Sequence, residues 1–537
     1  MWKREIYATV ATNNDPPSNG IVNSAREDMS LRLKDLSRVQ PELEKLRKQL
    51  GRLEEEENSI RQDLDMYSRI LSPIRRLPFD ILGEIFLHCL SEDELWPPTL
   101  NDISQAPLLL MRVCRTWRYT TLACPRLWAS LRLEIVDAKT TPSQTGALRR
   151  RIQEWLSRSG VCPIYLVMSS TCRGIAGYAQ NRNKSAVQAL LPFMHRCDSL
   201  YLLGEHQPFI ELLAPETLVA LRSVRIEPIK GGYSARTWQP LANLMAAPNL
   251  RSLYCLASSS SDISITDIPL HLSPRLTRLA LHGPKTPYED VLAALQLLPN
   301  LCFLQIKFTR QSLPNATVTP KVSLPRLEDL VIREWIAISD TATFLNCLTD
   351  MSSLTSLEFR ASVDPAFYQT AQEIGFPFAA HTMLTKNIEP KNLLHLSIPL
   401  GLNRDQVLDC LRALPYIIQL DLFRSANTLR KDVEPFDLED LVVRQDMPVL
   451  LPRLLHLTIH NSRQTTDETV LRFVISRIQA LPCSDASDGK VAMLESFEGR
   501  FLRPKQQDIM SAVRQYASDT GIGGVPDIEL TYEPDSH

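Results

Sequence analysis

The sequence lacks the motifs on which most enzyme and metal-site predictions rest. None of its 11 cysteines belongs to a CxxC pair, so the closely spaced ligands of a structural zinc site are missing. No GxSxG, P-loop or GxGxxG motif occurs, and the GIGG segment at 521–524 has neither the lysine nor the helix of a phosphate-binding loop. We therefore predict no catalytic activity, no metal ion and no cofactor.

Long apolar runs and an excess of one charge are also missing. The chain carries 59 basic and 61 acidic side chains, a net charge of -2, so no overall field attracts nucleic acid or anionic lipid. No apolar run approaches the roughly 20 residues of a membrane span, and the N-terminus lacks the apolar core of a signal peptide. Scattered cysteines in odd number are typical of reduced thiols. We expect a cytoplasmic or nuclear protein that binds neither nucleic acid nor membrane.

A heptad pattern is the first positive feature. Residues 1–28 are polar and aperiodic, which predicts disorder, whereas residues 29–72 predict a coiled-coil helix. We expect this helix to begin near Pro41, since proline inside a helix costs about 3 kcal/mol. The core positions of the heptads, apolar except for Glu57, are Leu36, Val39, Leu43, Leu46, Leu50, Leu53, Glu57, Ile60, Leu64, Tyr67 and Leu71.

Two interpretations of this helix stay open. It either folds onto its own chain or forms a homodimer through residues 36–71, because five heptads are enough to pair but do not identify the partner. A basic zipper that binds DNA is disfavoured. Glu27, Asp28 and Asp35 interleave with the basic residues where a phosphate-binding helix would be nearly all basic.

Residues 73–131 predict three short helices. Pro78 suits a first helical turn, and the apolar residues after it recur at three- and four-residue spacing. A second apolar run covers 108–113, and a third helical segment, 115–123, stops before Pro125. A unit of this size cannot bury so much apolar surface by itself, which suggests an obligate partner groove.

These residues resemble the F-box. The resemblance covers the LPxxILxxIF start at Leu77, then VCRxWR at 113–118 and PRLW at 125–128. It implies a Skp-type adaptor and, through it, a cullin as partners. The residues that it places against the adaptor are Leu77, Pro78, Ile81, Leu82, Ile85 and Phe86, and those that complete the module and its contact are Val113, Cys114 and Trp117. Residues 92–105 form a longer insertion than many F-boxes have. The competing interpretation is a three-helix spacer without an adaptor.

A repeated LxxLxL motif follows from about residue 190. Successive motifs begin at Leu221, Leu250, Leu276, Leu301, Leu327 and Leu354, 25 to 29 residues apart, the period of a leucine-rich repeat. We predict an array over 190–502, a connecting segment at 132–189 and a cap and tail at 503–537. Residues 365–390 are interpreted as an inserted loop, and the motif at Leu438 as less than a full repeat.

The predicted fold is therefore multidomain, α and α/β. A long N-terminal helix precedes a three-helix F-box module and a leucine-rich-repeat solenoid with a curved parallel sheet. This order resembles that of a large family of F-box proteins with coiled-coil helices ahead of the F-box.

Strand alternation identifies a candidate client surface. The residue after each LxxLxL motif faces the concave side of the sheet, and in four consecutive repeats it is His282, Lys307, Arg333 and Arg360. Stacked at the strand spacing, these side chains are able to hold a phosphate or an acidic peptide. The alternative is ordinary solvated charge.

Together these features predict the substrate-recognition subunit of an SCF ubiquitin ligase with an unknown protein client. The alternative function is a non-catalytic scaffold that binds partners without delivering them for ubiquitylation.

Overall fold

The computed structural model describes most of the chain in two compact units, Met1–Ile85 and Phe86–His537. The boundary falls within one helix, Phe79–Leu87. The described residues are 2–12, 16–91, 96–135, 142–170, 188–204, 207–227, 241–256, 268–282, 288–307, 321–333, 338–360, 381–386, 392–400, 404–424, 436–444, 448–462, 465–478, 491–521 and 524–533.

The first unit is helical from its start. It contains α1 (Trp2–Thr12), α2 (Asn19–Leu71) and a short 3-10 helix, Pro73–Arg76, before α3 (Phe79–Leu87) begins. The sequence predicts disorder over 1–28, and the structure differs by describing helix at Trp2–Thr12 and from Asn19 onward. The Tyr7 hydroxyl donates to the Asp28 carboxylate at 2.7 Å and lies 3.0 Å from the Ser24 hydroxyl. These contacts between two helices are tertiary, so local composition does not reveal them.

The helix α2 does not begin at Pro41 but runs through it for 53 residues. Proline removes one backbone donor from the helix and clashes with the preceding turn. Long helical segments on both sides still make their own hydrogen bonds, so the single defect is tolerated. The predicted coiled-coil helix over 29–72 lies within this longer helix.

The second unit is built on one parallel sheet of 14 strands that follow each other in chain order. The strands are β1 (Ser130–Ile135), β2 (Ile164–Ser170), β3 (Cys197–Leu203), β4 (Ser223–Glu227), β5 (Ser252–Leu256), β6 (Arg278–His282), β7 (Phe303–Lys307), β9 (Asp329–Arg333), β11 (Ser356–Arg360), β12 (His395–Leu400), β13 (Gln419–Arg424), β14 (His456–Ser462), β15 (Ser496–Phe501) and β16 (Asp527–Tyr532). A separate pair joins β8 (Val322–Ser323) and β10 (Leu348–Thr349).

Helices precede the first strand and lie between later strands, where a parallel sheet requires crossover connections. In the part of this unit that the structure describes they are α4 (Leu110–Val113), α5 (Arg115–Ala123), α6 (Pro142–Arg158), α7 (Gln207–Ile210), α8 (Leu241–Met245), α9 (Tyr288–Leu295), α10 (Ile338–Cys347), α11 (His381–Lys386), α12 (Arg404–Ala413), α13 (Asp467–Ile478) and α14 (Ile509–Thr520). The unit is an α/β repeat solenoid.

The LxxLxL motif produces the core of each repeat. In the repeat of β6, Leu276, Leu279 and Leu281 are all buried. The first apolar residue of the motif turns the chain into the strand, and the fourth and sixth point from the strand toward the helices. The predicted strands at Leu276, Leu301, Leu327 and Leu354 are confirmed.

Main-chain hydrogen bonds hold successive repeats in register where strict leucine-rich repeats use an asparagine ladder. The carbonyl of Arg251, for example, accepts the N–H groups of Thr277 at 2.8 Å and Arg278 at 3.0 Å. The carbonyls that each accept two such N–H groups from the next repeat are Arg222, Arg251, Thr277, Cys302, Glu328, Thr355, Leu394, Ile418 and Leu455.

The solenoid is longer than the sequence predicted. Most of β1 and all of α6 and β2 lie in 132–189, which was predicted to be a connecting segment, and its last helix and strand lie in the predicted cap at 503–537. β1 and β2 each bury consecutive residues, Leu131 to Leu133 and Leu166 to Ser169, and neither carries the full LxxLxL motif that identifies later repeats. Leu438–Leu441 is a 3-10 helix, which confirms that it is not a full repeat. Of the predicted insertion at 365–390, only the helix His381–Lys386 lies within the described residues.

Residues 96–99 of the 92–105 insertion cover the edge of the sheet. Thr99 forms an isolated bridge with Arg132 of β1, and the carbonyl of Pro98 accepts the Arg132 N–H at 2.9 Å. The Trp96 ring lies 3.6 Å from the Arg132 guanidinium. An unpaired edge invites association with other strands, so these residues, which follow the undescribed 92–95, close the N-terminal edge.

No helix in the described ranges combines the length and the hydropathy that crossing a bilayer demands.

Candidate functional site

The helix α3 carries two different apolar faces. Leu82 is 2% exposed and Phe86 is fully buried, four residues apart on one face. Ile81 is 47% exposed and Ile85 is 38% exposed, again four residues apart, on the adjacent face. Pro78 precedes the helix, is exposed, and its carbonyl accepts the Leu82 N–H at 2.9 Å. The helix is therefore anchored by one face and offers the other to solvent.

The predicted adaptor residues of this helix lie in two different environments. Leu82 and Phe86 are buried and anchor the helix. Leu77 is half-buried. Pro78, Ile81 and Ile85 stay available for contact. Both faces are apolar in the sequence, and only the packing separates them.

Three further predicted residues lie around the start of α5. Val113 ends α4 and is 54% exposed. Cys114 separates α4 from α5, and its Sγ accepts the Trp117 N–H at 3.4 Å, which caps α5. The half-buried Trp117 ring packs 4.8 Å from the ring of Phe86. Trp117 therefore braces this segment, while Val113 and Cys114 remain accessible.

The segment after α5 is joined to the repeat solenoid by tryptophan packing. Trp128 is fully buried and meets Trp155 of α6 edge to face at 4.8 Å. The Trp128 indole N–H donates to the Thr121 carbonyl at 2.8 Å, and the Trp155 N–H to the Ser130 carbonyl at 3.2 Å. Arg158 covers the other part of the Trp128 ring at 4.6 Å. Sequence reasoning missed this junction, although a tryptophan in the amphipathic run of 142–158 was a signal for it.

The four positions of the predicted basic surface lie on paired strands of the sheet. His282 pairs with Lys307, Lys307 with Arg333, and Arg333 with Arg360, so the four positions form one row across four strands. Arg333 is half-buried. The side chains of His282, Lys307 and Arg360 lie outside the described residues, and the stacking of the four charges stays a prediction.

A second polar cluster lies on the same face of the sheet, which we call the open face, at positions three and five of the repeats. The His395 Nε2–H donates to Asp421 at 2.8 Å, and its Nδ1 lies 3.0 Å from the Ser356 hydroxyl. Gln419 donates to the other Asp421 oxygen at 3.3 Å. Glu358 lies 3.8 Å from the His395 Nδ1. The cluster therefore ties β11, β12 and β13 together by side chains.

The same cluster fixes the ionisation of its carboxylate. Burial raises the pKa of Asp421, but hydrogen bonds from His395, Gln419 and Thr458 outweigh burial, and the pKa lies below its ordinary value. Ser356, His395 and Asp421 are the residue types of a hydrolytic triad, yet Ser356 is 7% exposed, so its hydroxyl is not open to a substrate. The sequence analysis considered only position seven and missed this cluster.

The described thiols are exposed, intermediate or buried. Burial raises the pKa of Cys197, Cys255 and Cys410 to about 12, so these thiols stay protonated and behave as small apolar side chains. Cys89 and Cys114 are exposed.

Comparisons with known proteins leave the family open. No family model matches the sequence, and no curated protein matches it. A solved structure of a protein from Bacteroides fragilis is 13% identical over 59% of this chain and 66% of that chain, just under two thirds of its length, with a TM-score of 0.31. A likeness at this level carries no argument about function.

Proposed function

We propose that this chain is the substrate-recognition subunit of an SCF-type ubiquitin ligase and is not itself an enzyme. The observation that carries the proposal is α3, whose Ile81 and Ile85 are exposed beside a buried pair. An apolar face on a helix that is already anchored fits the groove of a partner. The resemblance of residues 77–128 to the F-box favours a Skp-type adaptor as that partner, and through it a cullin.

The solenoid supplies the client-binding part of the proposal. The solenoid contains a parallel sheet of 14 strands, and the curved sheet of such repeat proteins is an extended binding surface. The row of basic positions from His282 to Arg360 crosses this sheet in register and favours an acidic or phosphorylated client segment. The chain then acts by proximity, since it holds a client lysine near the charged conjugating enzyme.

Adaptor docking is tested by Ile81→Asp combined with Ile85→Asp in the full chain. We expect recovery of adaptor and cullin from cells to fall at least about tenfold, since each buried apolar contact contributes about 1.5–3 kcal/mol and 1.4 kcal/mol is tenfold in affinity. The matched control is Val219→Asp, because Val219 has the same 47% exposure as Ile81. Equal recovery from the double variant and the control would disprove docking through α3.

The scaffold alternative is separated by the fate of bound proteins. We expect proteins that co-purify with the wild-type chain to accumulate when the proteasome is inhibited and when the double variant replaces the wild type. Partners whose levels change in neither case indicate a scaffold. The double variant is preferable to deletion of 73–131, because Trp128 packs into the solenoid and the deletion would damage the client-binding unit.

A further inference from the structure

The helix α2 presents its whole apolar seam to solvent. None of its 53 residues is buried, and the apolar core positions between Leu36 and Leu71 are 42% to 70% exposed. Helices in water derive most of their stability from packing of an apolar face rather than from propensity. A seam of five heptads therefore needs a partner.

We propose that the partner is a second copy of this chain, in a parallel, in-register, two-stranded coiled coil over residues 36–71. This proposal does not rest on the proposed ligase function. The two residues that disfavour helix, Pro41 and Gly51, lie outside the core positions. The seam itself is uninterrupted by either residue.

Charge complementarity selects the second copy and its direction. Glu42 and Glu56 each directly precede a core position of the Leu36 series. Five residues after each of them, Arg47 and Arg61 directly follow a core position of the Val39 series. In a parallel pair, Glu42 meets Arg47 of the second copy and Glu56 meets Arg61. In an antiparallel pair, the residues directly before the Leu36 series of core positions (Leu36, Leu43, Leu50, Glu57, Leu64 and Leu71) face each other across the seam. The charged members of this set are all acidic: Asp35, Glu42, Glu56 and Asp63. Repulsion therefore disfavours the antiparallel pair.

Glu57 is the charged residue within the seam. Its carboxylate forms an ion pair with Arg61 on the same helix at 2.6 Å, with both side chains exposed. In the parallel dimer the two Glu57 side chains meet at one level, where a polar core residue fixes register and oligomeric state at a cost in stability. Because this cost grows with each added chain, the pair is favoured over larger bundles.

Association is tested by sedimentation equilibrium of the full chain. We expect twice the mass of one chain for the wild type and the mass of one chain for Leu46→Asp with Leu53→Asp. The control is Lys45→Asp with Arg52→Asp, at exposed positions of the same helix outside the core, which should remain dimeric. A wild-type chain that is monomeric at about 50 µM, well above the micromolar dissociation constants of moderate interfaces, overturns the proposal. A dimer formed by Leu46→Asp with Leu53→Asp also overturns it.

A second variant tests the seam in the opposite direction without endangering the fold. Glu57→Leu should tighten the dimer at least about tenfold, because an apolar pair replaces two carboxylates in the core. An unchanged dissociation constant would show that Glu57 does not lie between the two chains.

Direction is tested by reversing the four charges with Glu42→Arg, Arg47→Glu, Glu56→Arg and Arg61→Glu in one chain. In a parallel dimer this variant pairs with itself, and a mixture with tagged wild type sorts into separate homodimers, because unlike chains oppose like charges. Preferential mixing would mean an antiparallel pair and overturn the proposed direction.

Discussion

Burial determines how much a single ion pair contributes to the stability of the fold. Asp467 and Arg503 are both nearly inaccessible and lie 2.5 Å apart, and Asp467 also accepts the N–H groups of Gln506 at 2.7 Å and Gln507 at 2.9 Å. Breaking a buried pair costs about 3–5 kcal/mol, whereas an exposed pair contributes about 0–1 kcal/mol. Asp467 therefore ties α13 to the last repeat far more strongly than the exposed pair of Arg412 and Asp409 stabilises α12.

We expect Asp467→Asn to loosen the C-terminal end of the solenoid by about 3 kcal/mol. Hydrogen exchange followed by mass spectrometry should show faster exchange over 491–533, and Asp409→Asn should show no such change. Equal exchange rates over 491–533 in the two variants would mean that the pair of Asp467 and Arg503 does not hold the last repeats.

The same pair has a defined pH dependence. Burial raises the pKa of Asp467, but Arg503 and the two backbone N–H groups outweigh it, and the pKa lies below the ordinary 3.8. A lowered pKa contributes stability that is present above the ordinary value and is lost as the pH falls through the folded value. The difference between wild type and Asp467→Asn should therefore shrink below about pH 3.8.

Thiol reactivity tests whether individual cysteine side chains are exposed or buried. We expect a thiol reagent at neutral pH to modify exposed Cys89 and Cys114 and to spare Cys197, Cys255 and Cys410, whose pKa values burial raises to about 12. Added adaptor should protect Cys114 and leave the other reactive sites accessible. Protection of none of them would argue against docking near α5. Mass spectrometry of the modified peptides gives the answer.

Single residues also show which features could not be predicted from the sequence. The pattern of α3 identified an apolar helix but could not separate Leu82 and Phe86 from Ile81 and Ile85, since all four are apolar. Which face is buried depends on the surrounding chain. For Tyr7 the missing information is likewise a tertiary contact.

At the scale of elements, periodicity predicted the repeats well and their ends poorly. LxxLxL identifies a strand because the same three positions are buried in every internal repeat. β1 and β16 each have a sheet neighbour on one side, and neither carries the full LxxLxL motif. Pro98 and Thr99 complete the edge at β1, and no periodic signal marks them.

The junction at Trp128 is the element contact that we expect to matter most at the N-terminal end. Trp155→Ala removes the ring that packs edge to face on Trp128 and should cost about 3–5 kcal/mol. Because repeats are coupled to their neighbours, faster hydrogen exchange should be confined to β1, β2 and adjoining strands. Trp96→Ala, at a 56% exposed ring, is the control and should cost about 1 kcal/mol. Equal effects would show that the junction is not a packing centre.

At the scale of the whole molecule, the order of parts was readable from the sequence. The heptads, the F-box-like helices and the repeats each occupy their own part of the chain. Their boundaries were less accurate, because α2 starts earlier and the solenoid starts earlier and ends later than predicted. Such boundaries depend on packing between neighbouring elements.

The central claim is that the exposed face of α3 docks a Skp-type adaptor. Isothermal titration of purified full chain with purified adaptor tests it most directly. The account predicts a saturable complex, with a Kd of about 1 µM or tighter, that Val219→Asp preserves and that Ile81→Asp with Ile85→Asp abolishes. No binding by the wild type, or equal binding by the double variant, would contradict it.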